Sequence, residues 1–393
     1  MPIILDNAAL FTPQRIVDPG AVVISDAGGI TYAGLVENAP HTAGMRLDLR
    51  GRVVAPGFVD IHTHGGNGVN FYVDAAEGVS IVENLRRYAH WAAEKGTTGF
   101  LCSIAAPSAE ALLRLIEAYV RAFEHEITGA EPLGLHLEGP FLNQEKKGAF
   151  DPAWLRGAAL EEAEAAVRAG QGWIRQMTLA PEVPGAGAVA GYLRSQGIVV
   201  SVGHTNADYE TLSRALRGNF THVTHTFNAQ RGFHHRDPGA IGAILTSDYV
   251  TAELIADQVH VHPGAMKVLI RSLGVDRVVL ITDANAAAGL PDGTYEIGGR
   301  ARIVKNGRSV LEDGTIAGST ATMDTCVRNT HRAVGVPLLD AVRMASLNPA
   351  RAIGLANRIG SLDEGKSANL IVTDEELNIY MTLVGGEIVY DGL

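Results

Sequence analysis

Residues 132–142 read Pro132-Leu133-Gly134-Leu135-His136-Leu137-Glu138-Gly139-Pro140-Phe141-Leu142. The run predicts a short buried strand ending in a turn. Successive strand residues point to opposite faces, so His136 and Glu138 share one face and Leu133, Leu135 and Leu137 the other. Gly139-Pro140 stops the strand, because proline has no N–H for a ladder and glycine permits a sharp bend. A carboxylate at the end of an apolar strand is costly to bury alone. Glu138 therefore needs a partner, either a structural ion pair or a bound metal. This stretch leaves both readings level, and the other strand ends decide between them.

Outward from this strand the chain alternates. On the N-terminal side, Val53–Ile61 runs into His62-Thr63-His64-Gly65-Gly66, a helix is expected over 77–95, a strand over 97–102 and a helix over 108–127. On the C-terminal side the pattern predicts helices at 158–169, 187–196, 207–217, 263–273, 322–334 and 338–346. Strands are expected at 175–180, 198–202, 220–225, 251–255 and 278–282. Strand–helix alternation implies a parallel sheet with crossover helices. About eight units in roughly 300 residues suit a (β/α)8 TIM-like barrel. A doubly wound open sheet is the alternative, weakened because no G-x-G-x-x-G follows the first strand. Tyr295 to Ile316, with a turn at Lys305-Asn306-Gly307-Arg308, predicts a β-hairpin inserted late in the barrel.

Both chain ends have another texture. Short strands punctuated by Gly28-Gly29 and Pro40 fill the first 56 residues. Similar strands near 368–372 and 380–390 surround the tight turn Gly385-Gly386. The expected division is a small β-sandwich domain from residues 1–56 plus 357–393, and a catalytic barrel over 57–356.

The 393 residues are 46% hydrophobic, enough for a large core. Net charge is −11, and there is no run of lysine or arginine, so nucleic acid and anionic membranes are poor partners. Cys102 and Cys326 are the only cysteines. Two cysteines in apolar segments give no disulfide framework and fit a reducing compartment. There is no basic region followed by an apolar run and cleavage site, and no stretch suited to span a bilayer. The expected location is the cytoplasm.

Chemistry-bearing residues gather where the strands end. His62 and His64 lie two apart after an apolar strand, and such a pair is more often a metal pair than two structural histidines. Glu138, His204, His225 and Asp283 each follow a later strand. Barrel enzymes place their sites at the carboxyl ends of strands. One such residue has a structural explanation; six at successive strand ends point to a metal. Nitrogen and oxygen ligands favour Zn²⁺, Fe²⁺ or Mn²⁺, zinc and iron foremost, with one or two ions. His90, His125 and His331 fall on helical segments and read as solvated or structural. His234 and His235 either line an entrance or are exposed.

This constellation resembles the amidohydrolase superfamily, and within it the N-acetylglucosamine-6-phosphate deacetylases. Pro56-Gly57-Phe58-Val59-Asp60-Ile61-His62-Thr63-His64 marks the superfamily. His136-Leu137-Glu138-Gly139-Pro140, Lys146-Lys147-Gly148-Ala149, Gly203-His204-Thr205-Asn206, Thr224-His225-Thr226-Phe227-Asn228-Ala229 and Ile316-Ala317-Gly318-Ser319 are more specific. The resemblance implies Glu138 as the central metal ligand, with His204 and His225 and without a carbamylated lysine. It implies Asp283 as general acid/base and His260 as a substrate contact near the scissile amide. Ala149, Asn228, Ala229, Ile316, Ala317 and Gly318 would bind substrate. Arg236 would grip the phosphate, across the interface of a homodimer. The chain departs from the pattern at Phe150, where many relatives carry a histidine beside the phosphate, and at Gln230, where methionine is common.

Three functions are compared. A metal-dependent deacetylase of N-acetylglucosamine-6-phosphate accounts for every motif. An amidohydrolase acting on another N-acetyl amino sugar, on an N-acyl amino acid or on a dihydroorotate-like ring is the second; the Arg236 segment and the His136–Pro140 stretch argue against the last two, and the epimer is open. A non-catalytic scaffold would lack ligands or Asp283, and none is missing.

Overall fold

The computed structural model describes residues 1–72, 80–297 and 299–393. Its centre is a parallel eight-stranded sheet. The strands are Phe58–Thr63, Thr97–Ile104, Glu131–Glu138, Ile174–Leu179, Val199–Val202, His222–Val223, Thr251–Ile255 and Val278–Ile281, each paired with the next in that order. Two backbone bonds just beyond the strand ends bring the first and last together: Asp283 N to His62 O and His64 N to Ala284 O, both 2.8 Å. The sheet thus curls into the expected TIM-like barrel, and its closing seam sets Asp283 beside the His62–His64 pair. Asp60 stitches the same seam, accepting at Oδ1 from the N–H groups of His62 and Thr282.

Buried strands in a parallel sheet read as continuous apolar runs because helices cover their outer face. Here that outer layer includes Phe100, Cys102 and Leu135 packed against Leu85, Tyr88, Leu112, Leu115 and Ile116 of the first two helices, Ile81–Glu94 and Ala109–Ala122. Both helices start at serines, Ser80 and Ser108, whose side chains accept from the N–H three residues on. The expected start at residue 77 lies outside the described residues. A second cluster joins Val59, Ile61, Leu101, Leu133, Ile255, Val279 and Ile281 from five strands to Ala350, Ile353 and Ile359.

The two chain ends form one eight-stranded sheet, joined where Leu370–Thr373 pairs antiparallel with Val53–Pro56. It wraps an apolar cluster of its own that includes Leu5, Leu10, Val22, Ile24, Val54, Leu370 and Leu383. Thr382 Oγ1 bonds Ala93 O at 2.8 Å and fastens this sheet to the first barrel helix.

Several elements differ from the sequence reading. The strand expected at 220–225 is only His222–Val223, because Thr224 to Ala229 turns away to build the site. Helix Gly239–Leu245 was not expected: two glycines lower its propensity, yet six of its seven residues are buried and packing holds it. The helical run at 322–334 is an α-helix over Met323–Asn329 continued by a π-helical turn over Thr330–Val334. The inserted hairpin is three-stranded, Gly293–Ile297, Arg300–Lys305 and Arg308–Val310. Among the described residues no helix is long and apolar enough to cross a membrane, and both cysteines are free and buried.

Leu101 is fully buried in the cluster shared by five strands. Leu101→Ala is expected to cost about 2–5 kcal/mol of stability, read as a lower midpoint in urea unfolding at unchanged slope.

Candidate metal centre

Glu138 leaves the third strand with a carboxylate only 3% exposed, and four imidazoles converge on it. Its Oε1 lies 3.1 Å from the Nε2 atoms of both His204 and His225. Its Oε2 lies 3.1 Å from His64 Nε2. His62 Nε2 is 3.6 Å from Oε1. Asp283 Oδ1 approaches the same pair, 3.2 Å from His64 Nε2 and 3.6 Å from His62 Nε2. Two triads able to hold a cation result, His62–His64–Glu138 and Glu138–His204–His225, with Glu138 common to both.

The hydrogen bonds on the far side of the rings test whether these residues suit a metal. His62 Nδ1 meets Glu253 Oε2 at 2.8 Å, His64 Nδ1 meets Ser103 O at 3.0 Å, and His204 Nδ1 meets Lys146 O at 2.8 Å. Each partner can only accept, so each Nδ1 carries the proton and a neutral ring presents a lone pair at Nε2. These Nε2 atoms, together with that of His225, face one another and the carboxylate: His204 and His225 Nε2 are 3.0 Å apart, His62 and His64 Nε2 3.3 Å. Such an arrangement repels itself unless a cation sits between. Without a metal that cation is a proton at Nε2, which the neighbouring carboxylates hold in place. Burial pulls the His64 imidazole down, but hydrogen bonds to Asp283 and Glu138 raise it to about 9. The residues fit a divalent metal.

Backbone conformation aims these groups. His204, His225 and Asp283 all have left-handed φ, at 47°, 28° and 48°. Non-glycine residues rarely adopt it. Beside His204, a Cβ on Gly203 would stand 2.7 Å from Thr178 Cγ2, so only glycine fits there.

The centre opens into a cavity of about 490 Å³. Of the residues expected to bind substrate, Ala149, Asn228, Ala229, His260, Ile316, Ala317 and Gly318 all line it. His260 is held at Nδ1 by Asp257 Oδ2, 2.7 Å away, which leaves Nε2 for a ligand. Burial opposes its charge, yet Asp257 raises its pKa. Arg236 is not among the lining residues. It is exposed, in a loop with His234 and His235, and its guanidinium rests on His235 Nε2 at 2.7 Å. Phe150 lines the cavity with its ring edge-to-face on His204, centroids 5.2 Å apart. His136 is no ligand: it lies inside the barrel, bonded to Ser103 Oγ and Thr178 Oγ1 at 2.9 and 2.8 Å.

Sequence reasoning missed Glu253, Tyr72, Arg300 and Arg302. Tyr72 stacks on His64, centroids 4.9 Å apart, and the two arginines line the cavity. Glu253 had a signal, a lone acid inside the apolar strand Thr251–Ile255. It is fully buried and takes four donors: His62 Nδ1 and His225 N at Oε2, Gln176 Nε2 and His222 Nε2 at Oε1. One carboxylate thus orients a ring from one triad and the backbone of a ring from the other. Partners of this kind typically contribute ~10–100-fold to metal affinity. Glu253→Gln is expected to weaken metal binding by about that factor, measured by competition with a chromophoric chelator.

The sequence profile of the amidohydrolase family matches residues 53–389. An N-acetylglucosamine-6-phosphate deacetylase of Vibrio furnissii is 38% identical, covering 98% of this chain and 96% of its own. An N-acetylgalactosamine-6-phosphate deacetylase of Escherichia coli is 34% identical, covering 98% of each. The structure of a mutant N-acetyl-D-glucosamine-6-phosphate deacetylase from Mycobacterium smegmatis, in complex with N-acetyl-D-glucosamine-6-phosphate, superposes with TM-score 0.90 at 34% identity over 99% of each chain. The chain belongs to the amidohydrolase family, and within it to the N-acetylglucosamine-6-phosphate deacetylases.

Proposed function

We propose that the cavity hydrolyses the acetamide of N-acetylglucosamine-6-phosphate, giving acetate and glucosamine-6-phosphate. The observation that carries this reading is the convergence of four imidazoles on Glu138, in one cavity with Asp283 and His260. Glu138, His204 and His225 would hold one divalent metal. His62, His64 and Glu138 would hold a second, with Asp283 beside it. Zinc or iron suits this donor set best. Bound there, a divalent cation acidifies water and polarises an amide carbonyl.

The side chains supply the rest. The carboxylate of Asp283 accepts the proton of the attacking water and returns it to the departing sugar nitrogen. An amine leaves poorly without that proton, so the return matters as much as the removal. His260, fixed by Asp257, donates from Nε2 to the carbonyl oxygen as negative charge builds on it. Ala149 and the turn at Asn228-Ala229 position the sugar, and Ile316, Ala317 and Gly318 border the acetyl group. In this reading residues 1–56 and 357–393 form a supporting domain and 57–356 the catalytic one. The protein acts in the cytoplasm as a homodimer. The loop of Phe233 to Arg236, whose Phe233 is 60% exposed, faces the second subunit, and Arg236 contributes to the phosphate there.

The test is acetate release from N-acetylglucosamine-6-phosphate by the purified protein, with metal analysis of the same sample. Turnover should be lost on chelation and restored by zinc or ferrous iron; release unaffected by complete metal removal rejects the reading. Asp283→Asn is expected to lower kcat by ~10²–10⁴-fold, the usual contribution of a positioned acid–base group, with substrate still bound. Glu138→Ala should remain folded by circular dichroism yet retain no metal at either triad, because both use that carboxylate.

A further inference from the structure

The three-stranded insertion carries cationic groups that the mechanism above leaves unused. In Arg300–Lys305 the pleat puts Arg300, Arg302 and Val304 on one face. Val304 is buried against Ala286 and Ala287, together with Ile297 from the neighbouring strand. That face therefore lies on the barrel, and the two arginines beside Val304 reach the cavity, which both line. They are the only lysines or arginines among its described lining residues.

Their surroundings differ from those of a surface arginine. Arg302 Nε and Nη1 are shielded from solvent and have no hydrogen-bond partner among the described residues. A buried guanidinium with idle donors is costly, and burial, with Arg300 adding to it, already lowers the Arg302 pKa. Arg300 stands at the rim and spends one donor on Ala149 O at 2.7 Å, which ties the insertion to the loop that carries Phe150. Neither arginine has a carboxylate partner among the described residues. The cavity thus holds an acidic wall of Glu138 and Asp283 and, apart from it, two guanidinium groups with no carboxylate partner among the described residues. Phe150, an apolar ring on the same loop as Ala149, offers an anion no donor.

We propose that Arg302, with Arg300 at the rim, forms an anion subsite that binds the phosphoryl group of the amino-sugar substrate from within the same chain. This rests on the reading of the cavity as a sugar-phosphate deacetylase site. A phosphomonoester dianion pairs strongly with guanidinium groups, and Arg302 and Arg300 are the two that line this cavity among the described residues. A chain of net charge −11 also needs local cations to receive a dianion beside two carboxylates.

The experiment is the ratio of kcat/KM for N-acetylglucosamine-6-phosphate over N-acetylglucosamine, in wild type, Arg302→Met, Arg302→Lys, Arg300→Met and Arg236→Met. Charge-assisted bonds of this kind are worth about one to two decades of affinity. Arg302→Met should lower the ratio by ~10–100-fold, mainly through KM of the phosphorylated sugar. Arg302→Lys keeps the charge and the stem and should retain part of it. An unchanged ratio in Arg302→Met, or an equal loss in Arg302→Lys and Arg302→Met, overturns the subsite. So does a loss confined to Arg236→Met, which would place phosphate recognition wholly in the other loop. A wild type inactive on both sugars rejects the deacetylase reading itself, an outcome distinct from failure of the subsite.

Discussion

One carboxylate shared by four imidazoles is the constraint from which the rest of the site follows. Glu138 reaches His204 and His225 with one oxygen and His64 with the other. Those three rings come from the ends of the fifth, sixth and first strands, so the geometry exists only if the barrel is closed. Closure in turn is local to the site: the seam bonds between His62 and Asp283 and between His64 and Ala284 join residues of the cluster itself. Without a proton or a metal between them these groups are electrostatically unfavourable, with lone pairs and carboxylates facing one another. Binding a metal would be coupled to the stability of the seam, since a ligand that binds only the folded state stabilises it.

The fixed groups behind the rings matter as much as the rings. Glu253 accepts from His62, His222, Gln176 and the backbone of His225. Ser103 O and Lys146 O do the same for His64 and His204. Three imidazoles therefore arrive with the tautomer already chosen. This preparation costs backbone strain at His204, His225 and Asp283, of order 1–3 kcal/mol for each left-handed residue. A barrel with two large apolar clusters can carry that load. A strand end in ordinary extended geometry would instead aim its side chain along the pleat, out of the shared centre.

Much of this was legible in the chain because the clustered side chains sit where an apolar strand run stops. His62, His64, Glu138, His204, His225 and Asp283 could be found that way, and so could the barrel, from strand–helix alternation. What escaped depends on tertiary placement. Glu253 lies inside a strand, where an acid reads as a misfit until its four donors are seen. Tyr72 matters because it stacks on His64, and no local pattern carries that. The sixth strand looked long because Thr221, Val223 and Thr224 are all β-branched. Its second half leaves the ladder to turn His225 inward. Helix Gly239–Leu245 was hidden by its glycines, since burial rather than propensity holds it.

Arg236 carries a motif without a place in its own chain's cavity. Its neighbours in sequence match a family pattern, yet in its own chain the side chain points at His235 on an exposed loop. Arg300 and Arg302 carry no motif, and only the pairing of Ile297 with Arg300 and of Tyr295 with Arg302 reveals which way they face. The strand before them supplies the apolar contact to Ala286 and Ala287, and the alternation of the next strand then directs two guanidinium groups to the cavity. An insertion that seems only to cover the barrel mouth is thereby held in register by hydrophobic contact and charged by the intervening residues. The same two-residue period that put His136 and Glu138 on one face of a barrel strand puts a second, opposite charge on the other side of the cavity.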